Sequence, residues 1–377
     1  MILASALFEH EPPYFLHCHY DMLLTYAVRN NISDLTAQTD SPVFGMRYGQ
    51  HIRLTSRNLS SNEIEDFINL LYGSNASAKV LTGNDLDFSY THHVTTSEKL
   101  RFRVNASLIN QYEKLGIQVS MRILSTTPPP IDTLLLPQDL INLSFIDKGI
   151  VLVCGATGSG KSTLLASMLT LRAKKSVTGE KIITFEAPIE YILPSHTVNS
   201  IAAQSEVPRC LPNFAYAIRN ALRRTPTAIM VGESRDNETI SAVIEAALTG
   251  HSVFSTLHSQ SVTQAVNRLL MLFPQAEKQR IYYDFFSSVS AIIWQTLIPS
   301  ADGKRTALRE YIILDAHLRA KLLSSTLDDA ADMINNAMEQ NSTSVEHHAN
   351  HLLQKGLISP QTFELYCQPQ FKGKQNA

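Results

Sequence analysis

Eight consecutive residues, Gly155-Ala156-Thr157-Gly158-Ser159-Gly160-Lys161-Ser162, limit what this chain can fold into more than any other stretch. They fit the pattern G-x-x-x-x-G-K-[ST] at every fixed position, between a short apolar run at 150–154 and a helix-like run at 163–169. Strand, glycine loop and helix in that order make a phosphate cradle. The three glycines let the backbone curl until consecutive N–H groups face a polyphosphate, and the helix dipole adds partial positive charge at the same place. Lys161 is then placed to reach the β- and γ-phosphates, and the Ser162 hydroxyl to ligate Mg²⁺. Gly155, Ala156, Thr157, Gly158, Ser159, Gly160, Lys161, Ser162 and Thr163 are therefore the expected nucleotide-binding residues, with ATP and Mg²⁺ as ligands. A chance Gly/Ser-rich turn is the competing account, and it leaves the flanking strand and helix unexplained.

At 377 residues the chain exceeds one average domain, so two are expected. Ser125-Thr126-Thr127-Pro128-Pro129-Pro130 is the obvious linker, because a proline run favours a stiff extended segment over helix or central strand. This predicts an N-terminal domain over 1–124, a linker over 125–131 and an α/β domain over 132–377 with a helical C-terminal part. Lys+Arg 32 against Asp+Glu 34 leave a net charge of −2, so no global field argues for nucleic acid or an anionic membrane, and sequence-specific nucleic-acid binding is not expected. A local basic patch stays open. Near the N-terminus Glu9, His10, Glu11 and two prolines stand where a signal peptide needs a basic start and an apolar core, and no run approaches 18 apolar residues. The expectation is a cytoplasmic protein. Cys18, Cys154, Cys210 and Cys367 are scattered, which argues against a disulfide framework or a zinc knuckle.

In the N-terminal half, residues 21–28 are apolar at helical spacing. Phe44, Met46 and Tyr48 alternate with other residues, Gly49-Gln50 offers a turn, and Ile52 and Leu54 resume the alternation, which predicts a hairpin. Ser60-x-x-Glu63 is a capping box opening a helix with Ile64, Phe67, Ile68 and Leu71 on one face and Gly73 as its stop. Three strands follow, marked by Leu86, Phe88 and Tyr90; by Leu100, Phe102 and Val104; and by Ile117, Val119, Met121 and Ile123. Burying Phe102, Val104 and Met121 forces Arg101, Arg103 and Arg122 onto the opposite faces, where they line one outer surface. A solvated sheet face is the plainer account of them.

Beyond the phosphate loop, 181–186 is a second buried-strand pattern ending in Glu186, with Ala187-Pro188-Ile189-Glu190 next. A third, at 228–231, ends in Gly232-Glu233, with Arg235 and Asp236 after it. Two strands that each deliver a glutamate suit an open α/β sheet, whose ligands lie beyond the carboxyl ends of its strands. One carboxylate would hold the metal's water shell and the other orient or deprotonate the attacking water; carboxylates after strands are also commonly just solvated. Residues 214–224 are helical with Arg219 and Arg223 on one face. Asp236 is placed to cap a helix bearing Ile240, Val243, Ile244, Ala247 and Leu248, and Gly250 stops it. A fourth strand at 253–257 ends in His258, which is either simply hydrogen-bonded or a sensor of the γ-phosphate.

This order of pieces resembles the type II/IV secretion ATPases, a family that includes PilT-like pilus motors and the DotB/TraJ motors of type IVB secretion and related conjugation systems. The resemblance runs roughly over 21–359. It rests on the phosphate loop, an aspartate-box equivalent at 184–191, a Walker B equivalent at 229–233 and a histidine-box equivalent at 250–259. Ala217-x-Arg219-x-x-Leu222-Arg223 and Phe273-Pro274-x-Ala276-Glu277-Lys278 are similar to family segments, as are Ser33-Asp34-Leu35 and Arg101-Phe102-Arg103-Val104-Asn105 in the N-terminal half. The resemblance implies a RecA-like ATPase domain, a PAS-like N-terminal domain and a homohexameric ring with nucleotide between subunits. It also implies that partner proteins hold the ring at an inner-membrane secretion or conjugation complex. On the same basis Lys161, Glu186 and Glu233 are the catalytic residues, with Glu186 the catalytic glutamate and Glu233 the Walker B glutamate that holds Mg²⁺ through water beside Ser162. Arg101, Arg103 and Arg122, and with them Arg219 and Arg223, are the arginine-finger candidates. Ala187 stands where PilT-like members carry aspartate, which weakens the case for vigorous hydrolysis and matches the DotB/TraJ subgroup. The tetracysteine insert of the type II motors is absent.

From about residue 302 the pattern is mixed, with a strand at 307–313 and two or three helices after it. His347, His348 and His351, lacking a nearby Cys or Asp, are expected to face solvent rather than hold a metal, and 368–377 to fray. The expected function is a hexameric ATPase that powers a type IVB secretion system or a related conjugation machine. A PilT-like pilus retraction motor is the alternative, and a nucleotide-gated docking scaffold with little turnover is another, motivated by Ala187. A helicase fits the overall charge less well.

Overall fold

The apolar residues of this chain gather into separate cores, because its two sheets bury different sets of side chains. In the computed structural model, which describes residues 7–95, 98–111, 114–194, 197, 199–327 and 329–367, one compact unit comprises Met1–Thr127 with Ala187–Ile192, and the other Pro128–Glu186 with Leu193–Ala377. The expected fraying of 368–377 lies outside the described residues.

The first unit contains helices α1 (His17–Arg29), α2 (Ser61–Tyr72) and α3 (Ala76–Leu81) and strands β1 (Asp34–Gln38), β2 (Phe44–Arg47), β3 (Gln50–Arg53), β4 (Leu86–His93), β5 (Lys99–Gln111) and β6 (Lys114–Leu124). The strands form one antiparallel sheet in the order β3-β2-β1-β6-β5-β4. Tyr48 and Gly49, both at positive φ, make the two-residue turn of the hairpin, the hand that matches strand twist. Phe102, Val104, Ile117, Val119 and Met121 alternate inward and are buried with Ile64, Phe67 and Ile68 of α2. The capping box closes as the sequence predicts: Ser60 accepts from the Glu63 N–H, and Glu63 Oε2 accepts from Ser60 N at 2.9 Å. Glu63 is itself buried and accepts from Phe15 N at 2.8 Å and from Arg57. Burial alone would raise its pKa, but the Arg57 guanidinium and these N–H donors bring it down to about 2.

The second unit is built on a seven-stranded sheet in the order β13-β12-β7-β11-β10-β8-β9. Its strands are β7 (Gly149–Cys154), β8 (Lys181–Glu186), β9 (Ile201–Glu206), β10 (Ala228–Val231), β11 (Ser252–Leu257), β12 (Val289–Pro299) and β13 (Arg305–Ile313). All neighbours are parallel except β12 and β13, which form an antiparallel pair at one edge. Every residue of β7, β10 and β11 is buried, as continuous apolar runs in a sheet covered on both faces require. The helices are α4 (Gln138–Asn142), α5 (Lys161–Lys175), α6 (Phe214–Ala221), α7 (Asn237–Leu248), α8 (Val262–Met271), α9 (Gln275–Ser288), α10 (Ala316–Ser324), α11 (Ala330–Gln340), α12 (Val345–Gln354) and α13 (Pro360–Cys367). Asp236 caps α7 by accepting from Thr239 N at 2.7 Å. A small separate cluster of Ile298, Leu308, Ala349, Leu352 and Ile358 seats α12.

His347 and His351 are exposed, as expected, but His348 turns inward and its Nδ1 accepts from Arg309 N at 3.1 Å. The reason is helical geometry: α12 lays Ala349 and Leu352 on the core, which carries His348 to the edge of the same face. Among the described residues no group of His, Cys, Asp or Glu could hold a metal ion, and no helix is long and apolar enough to cross a membrane.

Candidate functional site

Strands β7, β11, β10 and β8 are consecutive in the sheet and parallel, so their carboxyl ends share one edge. From β7 comes the glycine loop, from β11 His258, from β10 Gly232-Glu233, and β8 ends on Glu186. Residues more than a hundred positions apart are thus brought together by topology alone, at the edge where open α/β sheets bind ligands.

The loop is shaped for close backbone approach. Gly155 has φ +147°, and a Cβ there would lie 2.3 Å from the Gln295 carbonyl oxygen; Gly160 has φ +86° and opens α5. Lys161 is buried, and its Nζ donates to the Gly155 and Ala156 carbonyl oxygens at 2.8 Å each, so the ammonium is held at the loop. Ser162 and Thr163 occupy the first turn of α5 and are partly exposed. A curled glycine loop, an ammonium and a first-turn hydroxyl are a donor set that fits a polyphosphate with its Mg²⁺.

Glu186 is 5% exposed. Its Oε1 accepts from Thr184 Oγ1 at 2.7 Å and from Gln204 Nε2 at 3.0 Å, which fixes the carboxylate's orientation. Gln204 Oε1 in turn accepts from Leu193 N at 2.8 Å. Gly232 packs against Glu186, since a Cβ at 232 would sit 3.2 Å from the Glu186 Cα. Glu233 lies between two side chains: its Oε2 is 2.6 Å from Arg235 Nη2, and its Oε1 is 3.0 Å from His258 Nε2. Burial, and after it the charge of Lys161, press the His258 pKa below its ordinary value against the opposing pull of Glu233.

The five arginines singled out from sequence have different surroundings. Arg103 and Arg122 stand directly opposite each other on β5 and β6 and are occupied by Asp87 (2.6 Å) and Asp34 (2.7 Å). Arg101 lies on the same sheet face but is only 1% exposed, because its Nη1 and Nη2 donate at 2.7 Å to the carbonyl oxygens of Glu190 and Ile189. The solvent-facing surface foreseen for all three therefore holds for two. Arg219 and Arg223 are exposed on α6 and the turn after it, with no ion pair among the described residues.

Sequence reasoning passed over Thr184, Gln204, Gln295 and Arg309. Gln295 on β12 donates from Nε2 to the Ser159 carbonyl oxygen at 2.6 Å, and its Oε1 accepts from Arg309 Nε at 2.8 Å across the β12–β13 pair. The available signal was a polar residue inside an apolar strand pattern, as Gln295 is among Ile292, Ile293 and Leu297, and Arg309 among Leu308, Tyr311 and Ile312.

The X-ray structure of the Legionella pneumophila ATPase DotB superposes with a TM-score of 0.90 at 39% identity, covering 96% of this chain and 98% of that one. The structure of the pilus retraction motor PilT with bound ADP gives 0.80 at 27% identity, over 93% and 97%. The type IV pilus ATPase PilU of Pseudomonas aeruginosa is 38% identical over 224 residues, 59% of this chain and 56% of PilU, so the match spans about half of that relative's length. The architecture is thus the RecA-like α/β core of these ATPases, with a smaller α+β, PAS-like unit on its N-terminal side. With residues 94–359 matched by the model of the type II/IV secretion system proteins, the chain belongs to that family.

Proposed function

We propose that this protein is an ATPase that works as a homohexamer and powers a type IVB secretion system or a related conjugation machine, held at the inner-membrane complex by partner proteins on its cytoplasmic side. The observation that carries this reading is the meeting of the glycine loop, Glu186, Glu233 and His258 on one edge of the sheet. The high structural similarity to DotB favours secretion over pilus retraction.

In this reading residues 155–163 hold the phosphates of ATP, with Lys161 neutralising charge on the β- and γ-oxygens. Ser162, and Glu233 through water, hold Mg²⁺, which supplies further neutralisation of the phosphate oxygens. Glu186, its orientation fixed by Thr184 and Gln204, accepts the proton of the attacking water. His258, kept largely neutral by its surroundings, reports on the γ-phosphate through Glu233. Among the arginines, exposed Arg219 and Arg223 are the readiest to serve a neighbouring subunit, whereas Arg101, Arg103 and Arg122 would first have to leave their present partners. Steady-state phosphate release tests the reading: Glu186→Gln abolishes turnover while ATP binding persists. A wild-type hexamer that binds ATP without turning over would establish the docking scaffold instead, and recovery with a pilus assembly complex the retraction motor.

A further inference from the structure

The loop that carries His258 is held by residues from a distant part of the chain. Residues 259–261 lead from His258 into α8, and that helix already has an ordinary cap, since Ser261 Oγ accepts from Gln264 N at 3.0 Å. Glu310 on β13 adds a second acceptor. Its Oε1 takes the Val262 N–H at 2.7 Å, and the residue is only 8% exposed. Burying a carboxyl group is costly even when it is hydrogen-bonded, and a helix start with its own serine cap does not require one. Glu63, the buried glutamate at the start of α2, belongs to the helix it caps. Glu310 instead reaches α8 from a strand 48 positions further along the chain.

Directly across the ladder from Glu310 stands Trp294, whose Nε1 donates to the Ser259 carbonyl oxygen at 3.2 Å. Opposed residues of an antiparallel pair share one sheet face, so a single cross-strand pair grips the loop at both ends, at Ser259 and at Val262. The next pair along, Gln295 and Arg309, faces the other side, and Gln295 is the residue that holds the Ser159 carbonyl of the phosphate loop. The register of β12 on β13 runs unbroken from Ala291 to Pro299. This hairpin therefore holds the phosphate loop and the His258 loop at once. Since His258 Nε2 lies 3.0 Å from Glu233, a bond made a few residues further on, at Val262, helps to fix where the imidazole stands.

We propose that Glu310, with Trp294 opposite it, is a positioning residue for hydrolysis: it sets His258 against Glu233 in fixed relation to the phosphate loop, and acts on turnover through His258 without touching the nucleotide. The inference rests on the reading of His258 as the γ-phosphate sensor.

A double-mutant cycle in the full-length protein tests this, read as steady-state phosphate release at saturating ATP, with ADP affinity measured alongside by calorimetry. Glu310→Met, which keeps the length of the side chain and removes the acceptor, slows turnover by about tenfold or more. Its ADP affinity stays within about twofold of wild type, because the phosphate loop keeps its bond to Gln295. In a His258→Ala background the same change costs less than about twofold, since the residue through which Glu310 acts is gone. Equal losses in the two backgrounds overturn the inference alone and assign Glu310 to the framework. So does an ADP affinity that falls in step with turnover. Should Glu310→Met fail to fold, Glu310→Gln, which keeps an oxygen in the same place, carries the cycle, with about threefold lost in the wild-type background and no further loss in His258→Ala. His258→Ala with wild-type turnover overturns the sensor reading, and the inference with it. A wild-type protein without turnover overturns the ATPase reading and this inference together.

Discussion

Two glycines of the phosphate loop should respond very differently to the same methyl group. At Gly155 the backbone has φ +147°, a conformation that L side chains rarely adopt, and an added Cβ would lie 2.3 Å from the Gln295 carbonyl oxygen and 2.5 Å from Ser159 Oγ. The first of these contacts is backbone of β12 and is fixed by its ladder. Gly158 also has positive φ, +76°, but nothing lies within 4 Å of its Cβ position. Gly158→Ala therefore bears the left-handed strain alone, about 1–2 kcal/mol. Gly155→Ala bears backbone strain of about 1–3 kcal/mol and an overlap of similar size, together about 3–5 kcal/mol. For a unit of this size each kcal/mol moves the melting temperature by about 2–4 °C, so the two variants should melt roughly 5 °C or more apart. The chain's single tryptophan, Trp294, is on β12 beside the loop, so its fluorescence reports the relevant transition. Gly155→Ala should also lose ATP binding, since the loop N–H groups must move, while Gly158→Ala keeps most of it. If the two variants melt within about 1 kcal/mol of each other, the close packing of the loop on β12 is wrong.

Removing either donor to Glu186 Oε1, by Thr184→Val or Gln204→Leu, should slow turnover by about tenfold or more, because a hydrogen bond to a charged group is worth about 1.5–3 kcal/mol. Steady-state phosphate release checks this, and unchanged turnover with unchanged ATP binding would show that these donors do not orient the carboxylate. In the first unit, Glu63 has a folded pKa of about 2 against an ordinary 4.5, a depressed carboxylate, so its contribution is complete above the ordinary value and is lost as pH falls through about 2. Glu63→Gln should thus destabilise that unit by about 3 kcal/mol at pH 7 and by little near pH 2. Hydrogen exchange of the α2 amides measures it, and the Trp294 transition should not move. An equal loss at both pH values would assign the effect to packing.

Much of this fold was legible because it rests on short-range rules. The capping box at Ser60 and Glu63 and the apolar runs of β7, β8, β10 and β11 each follow from local chemistry, and so does the hairpin, although its turn falls on Tyr48-Gly49, one residue before the expected Gly49-Gln50. β9, Ile201–Glu206, is a polar edge strand in which one residue is buried, so neither alternation nor an apolar run marks it. β12 follows α9 without a break, since Ser288 ends the helix and Val289 begins the strand, and no Gly or Pro punctuates the change of period. At the site, residues at strand ends were readable and those that steady them were not. Thr184 and Gln204 are ordinary in sequence and become partners of Glu186 only through the parallel register of β8 and β9. Arg101 shows the same limit, for strand alternation gives its face correctly but not the segment that covers it.

That covering segment has a consequence for how such chains can be taken apart. The polypeptide passes between the two units at Thr127, again directly after Glu186, and a third time after Ile192. Cutting at the prolines would yield a fragment carrying residues 187–192, in which the Ile189 and Glu190 carbonyls had lost their guanidinium, directly after the very glutamate on which hydrolysis is proposed to depend. Modular exchange of the N-terminal half would therefore have to graft two stretches of sequence at once, 187–192 along with its host.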